Sequence, residues 1–161
     1  MKNNHIVILL TACVNPNGMS FTKLQNVDIR QEQYIKAISY YLEYTKYNIV
    51  CVENTGINFN SYFDQHKHKN RLECLTYIGN NYSKGLGKGY GEAQIIKYAI
   101  AHSKYINKNT YLVKITGRLI IKNINTVINP LLLRLSNKII QFDFFSKHFI
   151  NSTCFICPSQ W

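Results

Sequence analysis

The sequence predicts one α/β domain over residues 1–161, built on a mostly parallel sheet flanked by helices. Three observations predict it. Short apolar runs of strand length alternate with segments of helical periodicity. The first runs end in polar clusters rich in Gly, Asn and Thr. The chain has 161 residues, 46% of them hydrophobic and 17% charged, which suits a single buried core and excludes a disordered tail.

His5 to Leu10 (HIVILL) is a continuous β-branched-rich run closed by Asn15-Pro16-Asn17-Gly18, so it reads as a strand buried on both faces. Asp28 to Tyr44 reads as a helix. Asp28 is placed to cap it, Arg30 to Gln33 are polar, and Tyr34, Ile35, Ile38, Tyr41 and Leu42 recur at helical spacing. Ile49 to Val52 is a second strand, ended by Glu53-Asn54-Thr55-Gly56. Asn58 to Arg71 is polar and irregular, and Leu72 to Ile78 alternates loosely as a third strand. A glycine-rich loop, Gly79 to Gly91, precedes a helix over Glu92 to Tyr105 with Ala93, Ile96, Ala99 and Ile100 as its stripe. Tyr111 to Ile115 is a fourth strand, broken at Thr116-Gly117-Arg118 and resumed at Leu119 to Ile121. Asn125 to Leu135 reads as a helix with Pro130 in its first turn or at a kink. Ile139 to Phe145 and Thr153 to Ile156 complete the strands. This order predicts parallel neighbours joined by right-handed crossovers.

Lys and Arg number 19 against 8 Asp and Glu, a formal charge of +11, which points to a polyanion, an anionic membrane surface or a phosphorylated ligand. The plainer alternative is a solvated surface, because the cations are dispersed. No apolar run reaches the roughly 20 residues that span a bilayer, and the N-terminus lacks a secretory cleavage pattern. Cytoplasmic placement is therefore expected, with peripheral attachment at the inner membrane face as a further expectation. The five cysteines do not form a disulfide framework. Cys154 and Cys157 have CxxC spacing, yet no second CxxC or HxxxH accompanies them, and His66 and His68 are the only close His pair. No metal site is expected.

In open α/β sheets ligands bind beyond the carboxyl ends of the strands. Four segments occupy that edge: Thr11 to Gly18, Glu53 to Gly56, Gly79 to Glu92 and Thr116 to Arg118. Thr11, Asn15, Glu53 and Asn54 are candidate ligand contacts from the first two. Lys84-Gly-Leu-Gly-Lys-Gly-Tyr-Gly-Glu92 is the most unusual stretch. Its glycines, Gly87, Gly89 and Gly91 above all, let backbone amides approach a ligand, Lys84 and Lys88 add charge, and a helix N-terminus follows. A phosphate or diphosphate suits such a place, although neither the Walker loop nor the dinucleotide fingerprint is present. A flexible surface loop is the alternative. Lys114-Ile-Thr-Gly-Arg118 is the second unusual stretch, where Thr116, Gly117 and Arg118 turn toward the same edge and Arg118 offers a fork of donors suited to phosphate. Glu53 and Glu92 are the nearest carboxylates, able to bind a sugar hydroxyl or accept a proton. Their plainer alternatives are a surface turn and a carboxylate favoured by a helix dipole. Asp143, the only carboxylate beyond Glu92, is a third catalytic candidate.

The succession TACVNPNG, IVCVENTG, KGLGKGYGEAQIIKYAI and YLVKITGR resembles bacterial glycosyltransferase-like proteins of surface-polysaccharide synthesis, over about three quarters of the chain. The resemblance implies a Rossmann-like sheet of the GT-A type, a nucleotide-sugar donor and a glycan or lipid-linked acceptor. GT-A enzymes generally hold a divalent metal on the sugar diphosphate through Asp-x-Asp. The matching place here is Thr116-Gly117-Arg118, so the resemblance implies that Arg118 or Lys114 replaces the metal at the diphosphate. Such enzymes add an acceptor-binding half beyond this point, which leaves a shortened, inactive or partner-dependent protein as an alternative. The expected function is a glycosyltransferase or its donor-binding domain. The competing readings are a basic nucleic-acid-binding module, which is less favoured, and a non-catalytic remnant that binds a partner.

Overall fold

The computed structural model describes residues 5–19, 22–64, 70–134, 141–146 and 149–159, with side chains from 130 to 153 outside that description. The elements are β1 (His5–Ala12), α1 (Val27–Tyr44), β2 (Asn48–Glu53), β3 (Leu72–Thr76), α2 (Gly87–His102), β4 (Thr110–Thr116), α3 (Ile124–Arg134), β5 (Gln141–Ser146) and β6 (Phe149–Pro158). Among the described residues they form an α/β fold around one six-stranded sheet ordered β3-β2-β1-β4-β6-β5. β3, β2, β1 and β4 run parallel, whereas β6 pairs antiparallel with both β4 and β5. The first four strands have an order consistent with a Rossmann-like fold.

The two-residue period of the strands sorts their side chains between two layers. Ile6, Ile8 and Leu10 of β1 point to α1 and α3, where they meet Tyr34, Ile38, Tyr41, Ile124 and Ile128. Val7 and Leu9 point to the other face and pack with Val50, Leu112, Ile95 and Ala99 under α2. Continuous apolar runs are required because both faces of these central strands are covered.

Several expectations from sequence are corrected. Asn26 caps α1, its side chain accepting from the Ile29 amide, and Asp28 lies inside the first turn. α2 starts at Gly87 rather than Glu92, so Gly87, Gly89 and Gly91 lie in its first two turns, with Gly85 in the 3-10 turn before it. Helix propensity argues against such a start, but a Cβ at Gly91 would fall 2.0 Å from the Tyr82 hydroxyl, and the bare helix face is what admits that ring. Leu119 to Ile121 do not resume β4. Gly117 and Arg118 form a turn, and the buried Tyr41 hydroxyl donates to the Leu119 carbonyl and accepts from the Ile121 amide, both at 2.9 Å, drawing the chain off the sheet. α3 begins one residue earlier than expected, and Pro130 is its seventh residue, not part of its first turn. Between β2 and β3 the described residues hold only a 3-10 turn, Asn60–Tyr62, and His66 and His68 lie outside them. Cys154 and Cys157 sit on opposite faces of β6, one packed against each core layer, and all five cysteines are free thiols.

Candidate functional site

After β1 the chain turns to α1 and β2 on one side, and after β3 it crosses by α2 to β4 on the other side of β1. The connections therefore diverge at the carboxyl ends of β1 and β4, and this divergence opens a crevice. A cleft of about 340 Å³ lies there. Eight expected residues line it: Thr11, Asn54, Lys88, Gly89, Gly91, Glu92, Thr116 and Arg118. The glycine-rich stretch and the turn after β4 thus face one space.

Six expected residues do not line it, each for a local reason. Lys114 is fully buried. Its ammonium donates to the Glu92 carboxylate and lies 3.4 Å from the Thr116 hydroxyl and 5.5 Å from the Phe155 ring centroid. Thr11 donates to the same Glu92 oxygen at 3.3 Å. Alternation along β4 and β1 aims Lys114, Thr116 and Thr11 at α2, which brings Glu92 down onto them. Burial pulls the Lys114 pKa below the usual lysine value, with Glu92 opposing that shift. Lys114 is therefore the counter-ion of Glu92 beneath the cleft floor, not a free cation in the cleft. Gly117 is an interior contact: a Cβ there would lie 2.8 Å from the Thr11 carbonyl oxygen, which accepts from the Gly117 amide at 2.9 Å. Gly87 takes φ +73° where the 3-10 turn Lys84–Leu86 passes into α2. Lys84 reaches toward Gly18, another positive-φ residue. Asn15 organises loops, its carbonyl accepting from Asn80 at 2.8 Å and its side chain from the Asn17 amide at 3.1 Å.

Glu53 is the largest revision. It is neither a surface turn residue nor a wall of the cleft, because it is completely buried. Its carboxylate accepts from the amides of Val14 (3.0 Å), Thr55 (2.8 Å) and Ile57 (2.9 Å) and from the Thr55 hydroxyl (2.5 Å), with Thr76 at 3.5 Å. It fastens together the segments that leave β1, β2 and β3. We expect Glu53→Gln to lower stability by about 2–4 kcal/mol, because an amide offers one acceptor where the carboxylate offers two and leaves buried amides unpaired. Urea unfolding checks this, and a loss below about 0.5 kcal/mol would show the fastening to be dispensable. Asp143 lies on the backbone of β5 opposite Asn151, and its side chain is outside the described residues.

Sequence reasoning missed Arg30, Tyr34, Cys13, Asn80 and Tyr82, all of which line the cleft. Arg30 is 5% exposed. Its guanidinium donates to the carbonyls of Cys13 (2.6 and 3.1 Å), Val14 (3.1 Å) and Leu24 (3.2 Å) and to the Tyr34 hydroxyl (3.3 Å). Among the described residues no carboxylate balances it. A signal for it existed. Arg30 precedes Tyr34, Ile38 and Tyr41 at helical spacing, so it is a charge on the buried stripe of α1.

Arg30, Lys88 and Arg118 thus come from α1, α2 and the turn after β4 to one cleft. Lys88 is held below the usual lysine pKa by partial desolvation and then by repulsion from Arg118 and Arg30. Burial raises the Tyr34 pKa, and the same two arginines pull against that rise. Burial pushes the Cys13 thiol up to about 11, opposed by Arg30 and reinforced by Glu53. Asn54 is 1% exposed, and its Oδ1 has no hydrogen-bond partner. A buried acceptor left unpaired costs about 1–3 kcal/mol, so a donor brought to it gains correspondingly. α2 has no side-chain cap, and its first amide, that of Gly87, donates to the Lys84 carbonyl. The cleft's chemistry is that of an anion site beside one unfilled acceptor. A divalent cation does not fit this donor set, in which three cations surround a single carboxylate already taken by Lys114. Among the described residues no three His, Cys, Asp or Glu side chains come together to hold a metal. No protein-family model matches the chain, and no curated protein matches it.

Proposed function

We propose that this chain binds a nucleotide-sugar in the cleft between β1 and β4, acting as a glycosyltransferase of the GT-A type or as its donor-binding domain. The observation that carries the reading is the convergence of Arg30, Lys88 and Arg118 at the sheet's switch point, where the one carboxylate present is already neutralised. A diphosphate complements the three cations through charge-assisted hydrogen bonds, at the positive end of the α2 dipole. The orphaned Asn54 acceptor then takes an N–H or O–H of the nucleoside. In transfer, the bond from the sugar to the diphosphate oxygen breaks, a bond to the oxygen of an acceptor hydroxyl of a glycan or lipid-linked sugar forms, and the proton of that hydroxyl passes to the departing diphosphate. The cations stabilise the departing diphosphate without a metal. The stacking required of a nucleic-acid module has less support, because Tyr41 and Phe59 are spent in the core.

Calorimetric titration with UDP-, GDP- and CMP-sugars, with and without Mn²⁺, tests the reading. A diphosphate donor is expected to bind, with Mn²⁺ changing its affinity less than about threefold. Failure of every nucleotide-sugar in both conditions overturns it.

A further inference from the structure

Among the described residues, the exposed large apolar side chains are gathered at one end of the molecule. Ile78, Leu86, Tyr90, Ile29, Tyr62 and Ile120 are between 41% and 81% exposed. Each belongs to the carboxyl end of the parallel strands. Ile78 follows β3, Leu86 and Tyr90 flank the start of α2, Ile120 follows β4, and Ile29 is in the first turn of α1. Tyr62 joins them because its hydroxyl accepts from Gln31, one turn into the same helix. The exception is Tyr44, which ends α1 at the opposite end. Since α1 and α2 cover opposite faces of the sheet, these side chains occur on both faces at that end, outside the cleft lining itself.

Cations stand at both ends: Lys46, Lys104 and Lys108 are exposed where the chain enters β2 and β4. Lys23, Lys84, Lys88 and Arg118 stand at the cleft end. Of the carboxylates there, Glu53 is buried, Glu92 is paired with Lys114 and Glu32 with Lys36, while Asp28 beside Ile29 and Asp64 near Tyr62 are exposed, so the cations nearest the apolar groups are Lys84 and Lys88 around Leu86. Exposed apolar groups interspersed with cations, on a chain of formal charge +11, complement a surface that is apolar within and anionic outside. No described helix is long and apolar enough to cross a membrane.

We propose that this end docks on an anionic lipid bilayer, with Ile78 and Leu86 entering the headgroup region, Lys84 meeting lipid phosphates, and the cleft opening toward the membrane surface. The inference does not depend on what the cleft binds.

The test is co-sedimentation of the full chain with phosphatidylcholine vesicles, with and without phosphatidylglycerol. Binding is expected only with the anionic lipid. The Ile78→Ser/Leu86→Ser double variant should weaken it about tenfold or more, and Lys84→Glu about fivefold or more. Tyr44→Ser and Lys46→Glu, at the far end, should change it less than about twofold. All five positions are exposed, and an unchanged thermal midpoint verifies that the variants fold. Absence of vesicle binding overturns the proposal, and so do equal losses at both ends, which mean unspecific charge adsorption. Self-association abolished by Ile78→Ser/Leu86→Ser, without lipid binding, also overturns it and assigns the surface to a second copy of the chain.

Discussion

Glu92→Gln is expected to destabilise the fold by about 3 kcal/mol, because it removes the carboxylate that balances the fully buried Lys114 ammonium. Lys114 has no exposed side-chain surface, whereas the Glu92 side chain keeps 19%. The two halves of the pair are therefore unequal. Lys114→Met removes the buried charge, fills much the same space against Phe155, and leaves a carboxylate that water can still reach, so its cost should stay below about 1.5 kcal/mol. The Lys114→Met/Glu92→Gln double variant should recover most of the loss of Glu92→Gln. Urea unfolding of the four proteins closes a double-mutant cycle. Equal losses from the two single variants would mean that the burial of Lys114 does not govern the energetics.

Arg118→Ala should weaken binding of a nucleoside diphosphate by about 10–100-fold and of the free nucleoside by less than about threefold, since only the former loses a charge-assisted hydrogen bond. Lys88→Ala should do the same. Arg118 has Gln33 as its neutral partner at 3.4 Å, so truncating it leaves no buried charge behind and the fold should persist. Removing Arg118 also removes one of the two positive neighbours that depress the Lys88 pKa, which should move back toward the ordinary lysine value. Calorimetry with UDP and with uridine checks the selectivity. Equal losses for the two ligands would place Arg118 away from the diphosphate.

The strands were legible in the sequence because their burial on both faces forces unbroken apolar runs, as Val7 and Ile8 of β1 illustrate with one side chain in each core layer. The position of the cleft was legible for a related reason. Polar residues follow apolar strands where the chain leaves the core, and the strand order determines which of those exits diverge. What escaped depended on partners distant in the chain. Nothing near Glu53 shows that the amides of Val14 and Ile57 will converge on its carboxylate. Arg30 looked like an ordinary polar residue of a first turn until the Cys13 and Val14 carbonyls folded over it. The beginning of α2 was misplaced because glycine propensity is a local quantity, whereas the Tyr82 ring that occupies the bare face of Gly91 is a tertiary one. The continuation of β4 failed similarly, since Tyr41, almost eighty residues earlier, claims the backbone of Leu119 and Ile121.

The Glu53 carboxylate has a mechanical consequence for the cleft. By bonding to segments that leave three adjacent strands, it makes the β1–β2 wall a single stiff plate, whose parts cannot shift independently without unpairing buried amides. The facing wall is made differently, from a helix whose first turn is half glycine and lacks a capping side chain. The cleft is thus bounded by a wall pinned at Glu53 on one side and, on the other, by a glycine-rich helix start that is tied down from Gly91 and Glu92 onward.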